Sequence, residues 1–181
     1  MRSHRYYFAF YCLLFLIACG QSDSEQPELT EAQLREPQHA LHSLKTSEGL
    51  ELSLFAAEPM LVNPTNMDID ERGRIWVIEA FNYRNFFNPG NPERAEGDRI
   101  LILEDTDQDG KADKQTVFYQ GREIDAALGI AVIDDKVIVS CSPNVWVFTD
   151  TDGDDVPEKK EAMFTGIGGE QDDHGIHAFV F

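Results

Sequence analysis

Carboxylates stand at alternate positions in residues 105–113, a spacing that lets a curled loop direct oxygen ligands at one cation. Gly110, the sixth residue, permits the positive φ that such a curl requires. The twelfth residue is Thr116 instead of the bidentate Glu of an EF-hand, so the pattern predicts a cation loop between two strands. The expected ligands are Asp105, Asp107, Asp109, the carbonyl of Lys111, and Asp113.

The same pattern returns in residues 150–158, about 45 residues later. Carboxylates again occupy the first, third, fifth and ninth positions. The glycine is displaced, and Asp155 stands where the first segment has Gly110. The expected ligands are Asp150, Asp152, Asp154, the carbonyl of Val156, and Glu158.

Electrostatic repulsion favours a bound cation over a bare loop. Two like charges 4 Å apart repel by about 4 kcal/mol at an effective dielectric constant of about 20. The formal net charge of −18 leaves few cations nearby to compensate. Because hard oxygen ligands suit Ca²⁺ better than zinc or copper, we expect structural Ca²⁺ at both loops. The alternative is a solvated acidic turn without an ion.

The acidic composition also limits the partners. The chain of 181 residues has 33 Asp and Glu against 15 Lys and Arg. This balance excludes nucleic acid and anionic membrane surfaces as natural partners of the domain. An apolar fraction of 42% suffices for one packed domain.

Two histidines near the end of the sequence, His174 and His177, are candidates for a general base. In a strand, a spacing of three sends them to opposite faces, so at most one faces a central channel unless Gly175 bends the chain. The alternative for each is a turn histidine with satisfied hydrogen bonds.

An insertion at residues 81–97 mixes aromatic side chains with Asn and Arg, a composition suited to a polar ligand such as a sugar. Connections of this length are usually functional or disordered. The alternative is a loop that only covers neighbouring strands. The candidate substrate-binding residues are Glu79, Tyr83, Arg84 and, before a later strand, Arg122.

From residue 49 onward, short β-branched and aromatic runs alternate with Gly, Asp, Asn and Pro, which predicts an all-β domain. Residues 100–107 align with residues 145–152, and a repeat of about 45 residues with four strands is typical of a β-propeller blade. We expect residues 49–181 to form about the first three blades of a longer propeller. The predicted strands are 51–55, 75–78, 100–103, 116–119, 129–133, 136–139, 145–148 and 178–181.

Within each blade, residues 67–78 and 130–139 are expected to form an inner hairpin, with a third copy beginning at His177. The second strand of each hairpin is apolar on both faces, as expected if neighbouring blades cover both sides. Cys141 lies in such an apolar run, so we expect a buried thiol.

The N-terminus has the pattern of an export signal. A short basic segment precedes an apolar run that ends at Ala18, and residues 16–20 resemble the lipobox of bacterial lipoprotein precursors. We therefore expect a signal peptide at residues 1–18, a lipid on Cys19, and a polar tether at residues 19–48 with a short helix near residues 31–34. The lipid would hold the body at the cell envelope, in the periplasm or at the cell surface.

Beyond these local patterns, the body resembles the N-terminal propeller of the membrane-bound dehydrogenase family of planctomycete- and verrucomicrobium-like bacteria. That family is related to soluble quinoprotein glucose and sorbosone dehydrogenases. The resemblance rests on segments 73–77, 99–107, 109–113 and 142–145, and on Glu79 and Tyr83. It rests also on residues 172–177, which contain both histidines and which we call the histidine segment. It implies a six-bladed propeller, a sugar or polyol substrate, a quinone cofactor such as PQQ, and a haem c electron acceptor on a C-terminal part or a separate protein.

Three functional hypotheses follow. The first is a lipoprotein that oxidises a sugar or polyol, with His174 or His177 as the base. The second is a non-catalytic, calcium-stiffened propeller that binds carbohydrate or a partner protein. The third is a lactonase-like hydrolase, which requires a calcium ion held in the channel by Glu and Asn side chains.

Overall fold

The computed structural model describes residues 29–41, 44–84, 87, 89–168 and 174–179. The expected signal peptide and the lipidation residue Cys19 lie outside the described residues. Within them, two one-turn helices precede the β-domain, α1 (Glu31–Leu34) and α2 (Pro37–Ala40). Thr30 and Gln33 form a capping box that begins α1 where the sequence predicts a helix. The helices in the described ranges are all too short or too polar to span a bilayer.

The β-domain consists of two antiparallel sheets, each built from four consecutive strands. The prediction of an all-β fold is therefore confirmed. The first sheet contains β1 (Pro64–Ile69), β2 (Ile75–Glu79), β3 (Asp98–Glu104) and β4 (Lys114–Gly121). A 3-10 turn (Arg122–Ile124) leads to the second sheet, which contains β5 (Gly129–Ile133), β6 (Lys136–Cys141), β7 (Asn144–Thr149) and β8 (Lys159–Thr165).

The two sheets are structural copies of each other. Both predicted inner hairpins are present, as β1–β2 and β5–β6. The third and fourth strands of each sheet also share an irregularity. The register shifts between Ile100 and Leu101 in β3, and between Val145 and Trp146 in β7. Because these positions are equivalent in the sequence repeat, the bulge is part of the repeating unit.

The sheets stack in the same sense. Ile100 and Ile102 of β3 lie in the apolar cluster between the sheets. Their counterpart in the second sheet, Val145, belongs to a different cluster on the far side, where Val147 also packs. The face of β7 that meets the first sheet carries Phe148 instead. The first sheet therefore meets the second with the face that, in the second sheet, is turned away from the first.

Aromatic side chains fill the space between the sheets. Trp76 and Phe118 of the first sheet meet edge to face with ring centroids 4.8 Å apart. Phe118 in turn lies 6.4 Å from Phe148 of the second sheet. Burying such side chains contributes about 1.5–3 kcal/mol each relative to exposure. Cys141 is buried beside them as expected, and its Sγ–H donates to the carbonyl of Asp125 at 3.1 Å.

Two expectations about strands are wrong for the described residues. Residues 51–55 form no strand, and residues 176–179 form none either. The first of these segments instead crosses the outer face of the first sheet, where Phe55 packs against Val77 and Leu101. The described residues consequently form two sheets in place of about three.

Every connection lies at one of two ends of the sheets. One end, which we call the acidic end, consists of residues 70–74, 105–113, 134–135 and 150–158. These segments contain thirteen Asp and Glu against three Lys and Arg. The other end, which we call the opposite end, contains residues 80–84, 87, 89–97, 121–128, 142–143 and, after β8, residues 166–168 and 174–179.

Candidate functional site

The first acidic loop joins β3 to β4 and brings three of its predicted ligands together. Carboxylate oxygens of Asp105, Asp107 and Asp109 all lie within 4.8 Å of one another. Backbone amides hold them there, since the Gly110 amide donates to Asp105 Oδ2 at 2.8 Å and the Lys111 amide to Asp109 Oδ1 at 2.9 Å. This group of carboxylates could hold a metal ion.

Asp113, the ninth residue, is not part of this group. Its carboxylate accepts hydrogen bonds from the amide of Thr106 at 3.1 Å and from the hydroxyl of Thr106 at 2.7 Å. The hydroxyl bond holds the pKa of Asp113 below its usual value. The residue therefore ties the two ends of the loop together, and its predicted contact with a cation stays a prediction.

The second acidic loop joins β7 to β8 and brings four carboxylates together. Oxygens of Asp150, Asp152, Asp154 and Glu158 all lie within 4.8 Å of one another. The charge of Asp154 raises the pKa of Asp152, which is the electrostatic cost of this convergence. The Thr151 amide donates to Glu158 and lowers the pKa of that carboxyl. The roles of the Val156 and Lys111 carbonyls stay predictions.

The displaced glycine does not change the course of the second loop. Both loops have two residues in the left-handed region, at equivalent positions. In the first loop these are Gln108 at φ 64° and Gly110 at φ 87°. In the second they are Gly153 at φ 75° and Asp155 at φ 66°. Asp is among the side chains that tolerate this region best, so each loop needs only one glycine.

Asp155 has a second contact that the spacing of the loop does not reveal. Its carboxylate accepts from Arg74 Nη1 at 2.8 and 3.0 Å. Arg74 belongs to the first sheet, where its Nε donates to Asp70 Oδ2 at 2.7 Å. The same Asp70 oxygen accepts from Trp76 Nε1 at 3.0 Å. These contacts border a cleft of about 380 Å³ between the sheets at the acidic end.

At the opposite end, Glu79 occupies a fully buried position at the end of β2. It accepts from Arg99 Nε at 2.6 Å and Arg94 Nη1 at 2.8 Å, and from the amide of Val62 at 2.8 Å. Burial alone would raise the pKa of Glu79, but the hydrogen bonds from Arg99 and Arg94 outweigh it and hold the pKa below its usual value. These contacts fasten the base of the insertion, and the predicted substrate contact of Glu79 stays a prediction.

A second polar cluster at the base of the insertion escaped the sequence patterns. The carboxylate of Asp98 is fully buried and accepts from the amides of Asn82 at 3.0 Å and Ala126 at 2.9 Å. Asp125 accepts from Asn82 Nδ2 at 3.0 Å and from the Asp98 amide at 2.9 Å. Burial raises the pKa of Asp98. The sequence feature that could have revealed this cluster is Asp98 itself, a carboxylate at the first residue of the apolar strand β3.

The remaining candidate substrate residues also lie at the opposite end. Arg84 has a positive φ of 54°, and its guanidinium lies 5.3 Å from the ring of Tyr83. Arg122 is half-exposed and pairs with Glu93 at 2.5 Å and Asp125 at 3.1 Å. The shared role of these residues with Glu79 stays a prediction.

The two candidate histidines are exposed, also at the opposite end. The backbone around them is held by the sheets, because Ser140 Oγ donates to the carbonyl of Ile176. Asn66 Nδ2 of β1 donates both to the carbonyl of His177 and to that of Leu128 at 3.1 Å. The histidine segment therefore lies beside the starts of β1 and β5, and the general-base role stays a prediction.

A comparison with protein families matches residues 36–181 to a domain described as Domain of unknown function (DUF7133). The chain belongs to this family. The match covers both sheets, both acidic loops and the histidine segment. Neither the curated proteins nor the solved structures that were searched contain a match to the DUF7133 chain.

The buried ion pairs of Glu79 give the first testable prediction. Replacing Glu79 by Gln should lower the free energy of unfolding by about 3–5 kcal/mol at neutral pH, because Arg94 and Arg99 lose their buried counter-charge. Urea denaturation measures this change. The deficit should shrink as the pH falls below about 4.3, the value for an unfolded Glu, and through the lower pKa of folded Glu79, because the wild type then also loses the charge.

Glu104→Gln is the matched control. Glu104 pairs with Lys114 at 2.5 Å, and the side chain of Lys114 is 52% exposed. Loss of such a surface pair should cost less than about 1 kcal/mol. Equal losses in the two variants would contradict a stabilising role of the buried Glu79 cluster.

Proposed function

We propose that this chain is a calcium-binding part of a β-propeller, and that its acidic loops each take up one Ca²⁺ ion. The observation that carries the calcium proposal is the convergence of four carboxylates in the second loop to within 4.8 Å. The ligand atoms are hard oxygens, which suit Ca²⁺ better than zinc or copper. The loops lie between strands of one sheet, so a structural role for the ion is favoured over a catalytic one.

The same-sense stacking of the two sheets supports the propeller. In a sandwich, two sheets turn their apolar faces toward each other and leave polar outer faces. Here each sheet is apolar on both faces, with Leu101 and Leu103 on the outer side of the first sheet and Val145 on the outer side of the second. Repetition of the observed contact would continue the stack around an axis, as blades do. Six blades is the number that the family resemblance suggests.

The contacts of the first strands support an axis that runs beside β1 and β5. Asp68 of β1 accepts from the Val132 amide of β5 at 2.7 Å, so the two innermost strands are neighbours. Asn66 joins the starts of both to the carbonyl of His177, the expected beginning of a third copy. This arrangement would direct the candidate catalytic and substrate residues toward one mouth of a channel, away from the calcium loops.

For activity, we propose oxidation of a sugar or polyol by an envelope-anchored lipoprotein, with a quinone such as PQQ as cofactor and a haem c protein as electron acceptor. The resemblance to the dehydrogenase family and the clustering of polar residues at the opposite end support it. The alternative is a non-catalytic propeller that binds carbohydrate or protein. The structural calcium loops and the buried partners of Glu79 are compatible with this alternative too.

The calcium proposal makes a stoichiometric prediction. Isothermal titration of the chelator-stripped protein should detect two Ca²⁺ sites, with tighter binding at the second loop because it gathers more carboxylates. Asp109→Asn should abolish the first site, and Asp154→Asn should abolish the second.

Asp134→Asn is the control for this titration. Asp134 lies at the acidic end but outside both converged groups, so its loss should leave two sites. Absence of any Ca²⁺ uptake by the wild type, or an equal loss of sites in the control, would contradict the proposal.

The proposed oxidation predicts dye reduction by the protein when PQQ, Ca²⁺ and a suitable sugar or polyol are present. Replacing the catalytic one of His174 and His177 by Asn should then reduce turnover by about 100-fold or more, because a general base is lost. His39→Asn, in α2, is the control and should have no effect. If no sugar or polyol is oxidised, the binding alternative is favoured, and a glycan-binding assay takes the place of the dye assay.

A further inference from the structure

The second acidic loop is connected to the neighbouring sheet through residues that are not among its expected ligands. Asp155 is the sixth residue of the loop and follows Asp154, a proposed ligand. Its amide donates to Asp150 Oδ2 at 3.0 Å, and Asp150 is the first proposed ligand. The backbone of Asp155 is therefore fixed by one of the carboxylates that would surround the ion.

The side chain of Asp155 carries this constraint to the first sheet. Its two hydrogen bonds with Arg74 join residues that are 81 positions apart in the sequence. The side chains are 18% and 13% exposed, so solvent screens the pair only partly. Arg74 also holds Asp70, whose side chain is 3% exposed, and Asp70 holds the indole of Trp76 in the core between the sheets.

The first loop offers a natural comparison. The residue equivalent to Asp155 is Gly110, which has no side chain to reach another sheet. Both residues have left-handed backbones, so the two loops differ in this connection and not in their course.

We propose that Asp155 and Arg74 couple cation binding at the second loop to the contact between the two sheets. This inference rests on the proposed calcium function and extends it. The second loop fastens two sheets to each other, whereas the first loop orders a connection within its own sheet. By linkage, any contact that becomes stronger when the ion binds must also strengthen the binding of the ion.

The test uses the sign of a charge effect. Loss of the positive charge of Arg74 near a cation site should tighten Ca²⁺ binding if only long-range electrostatics acts. Coupling predicts the reverse. Calorimetric titration of the full chain with Ca²⁺ should find that Arg74→Gln weakens the second site by about fivefold or more, with the first site unchanged as an internal control.

Asp155→Gly is the second variant, because it gives the second loop the glycine of the first and keeps the left-handed backbone. It should weaken the second site at least as much as Arg74→Gln does, since it also removes a negative charge, and the double variant should be no weaker than Asp155→Gly, since both lose one and the same link. Asp135→Asn removes an equal charge from the same cleft without touching Arg74, and it should have a smaller effect than Asp155→Gly.

The outcomes separate the two proposals. If the wild type binds Ca²⁺ at both loops but Arg74→Gln tightens the second site or leaves it unchanged, the coupling is overturned and the calcium function stands. If effects of the two single variants add in the double variant, the coupling is also overturned. If the wild type takes up no Ca²⁺, both proposals fail. Circular dichroism of each variant verifies that it is folded before titration.

Discussion

The mutual repulsion of converged carboxylates is the constraint that the acidic end of this structure must satisfy. The fold brings four carboxylates of one loop, and three of another, to within 4.8 Å, and the raised pKa of Asp152 records the repulsion between neighbours. Backbone amides of the loops, including that of Gly110, offset part of this repulsion. A divalent cation would offset far more of it, because full charges attract more strongly than amide dipoles do.

Both groups of converged carboxylates lie at one end of the sheets, and this division gives the molecule two different ends. Apolar contacts between the sheets join the ends through Trp76, Phe118 and Phe148. At the opposite end, the charge of Glu79 is already balanced within the protein by two arginines. The acidic end is thus suited to binding ions that stiffen the stack. The opposite end holds the base of the insertion and the two exposed histidines, and it is the end where we propose that a ligand binds.

Local patterns were enough to predict seven of the eight strands, the inner hairpins and the groups of carboxylates, because each depends on residues close in sequence. The exposed strand β8 was not predicted, because it lacks the apolar pattern of the others. The alternation in residues 51–55 led to a wrong strand prediction, because a segment that packs Phe55 against an outer sheet face has the same pattern as a strand. Contacts between residues that are distant in sequence could not be predicted from local patterns. Arg74 could pair with any of many carboxylates, and only the fold selects Asp155; likewise, only the fold turns Glu79 inward to Arg94 and Arg99.

Hydrogen exchange of the whole chain, followed by mass spectrometry with Ca²⁺ and with a chelator, tests the cation-dependent joining of the two sheets most directly. We expect slower exchange with Ca²⁺ in residues 105–113 and 150–158. We expect it also in residues 70–74, which are distant in sequence and contact the second loop through Arg74 and Asp155. Exchange in residues 94–98 and 121–126 at the opposite end should change least. Identical exchange under both conditions, or protection by Ca²⁺ at the opposite end alone, would contradict cation-dependent joining of the two sheets.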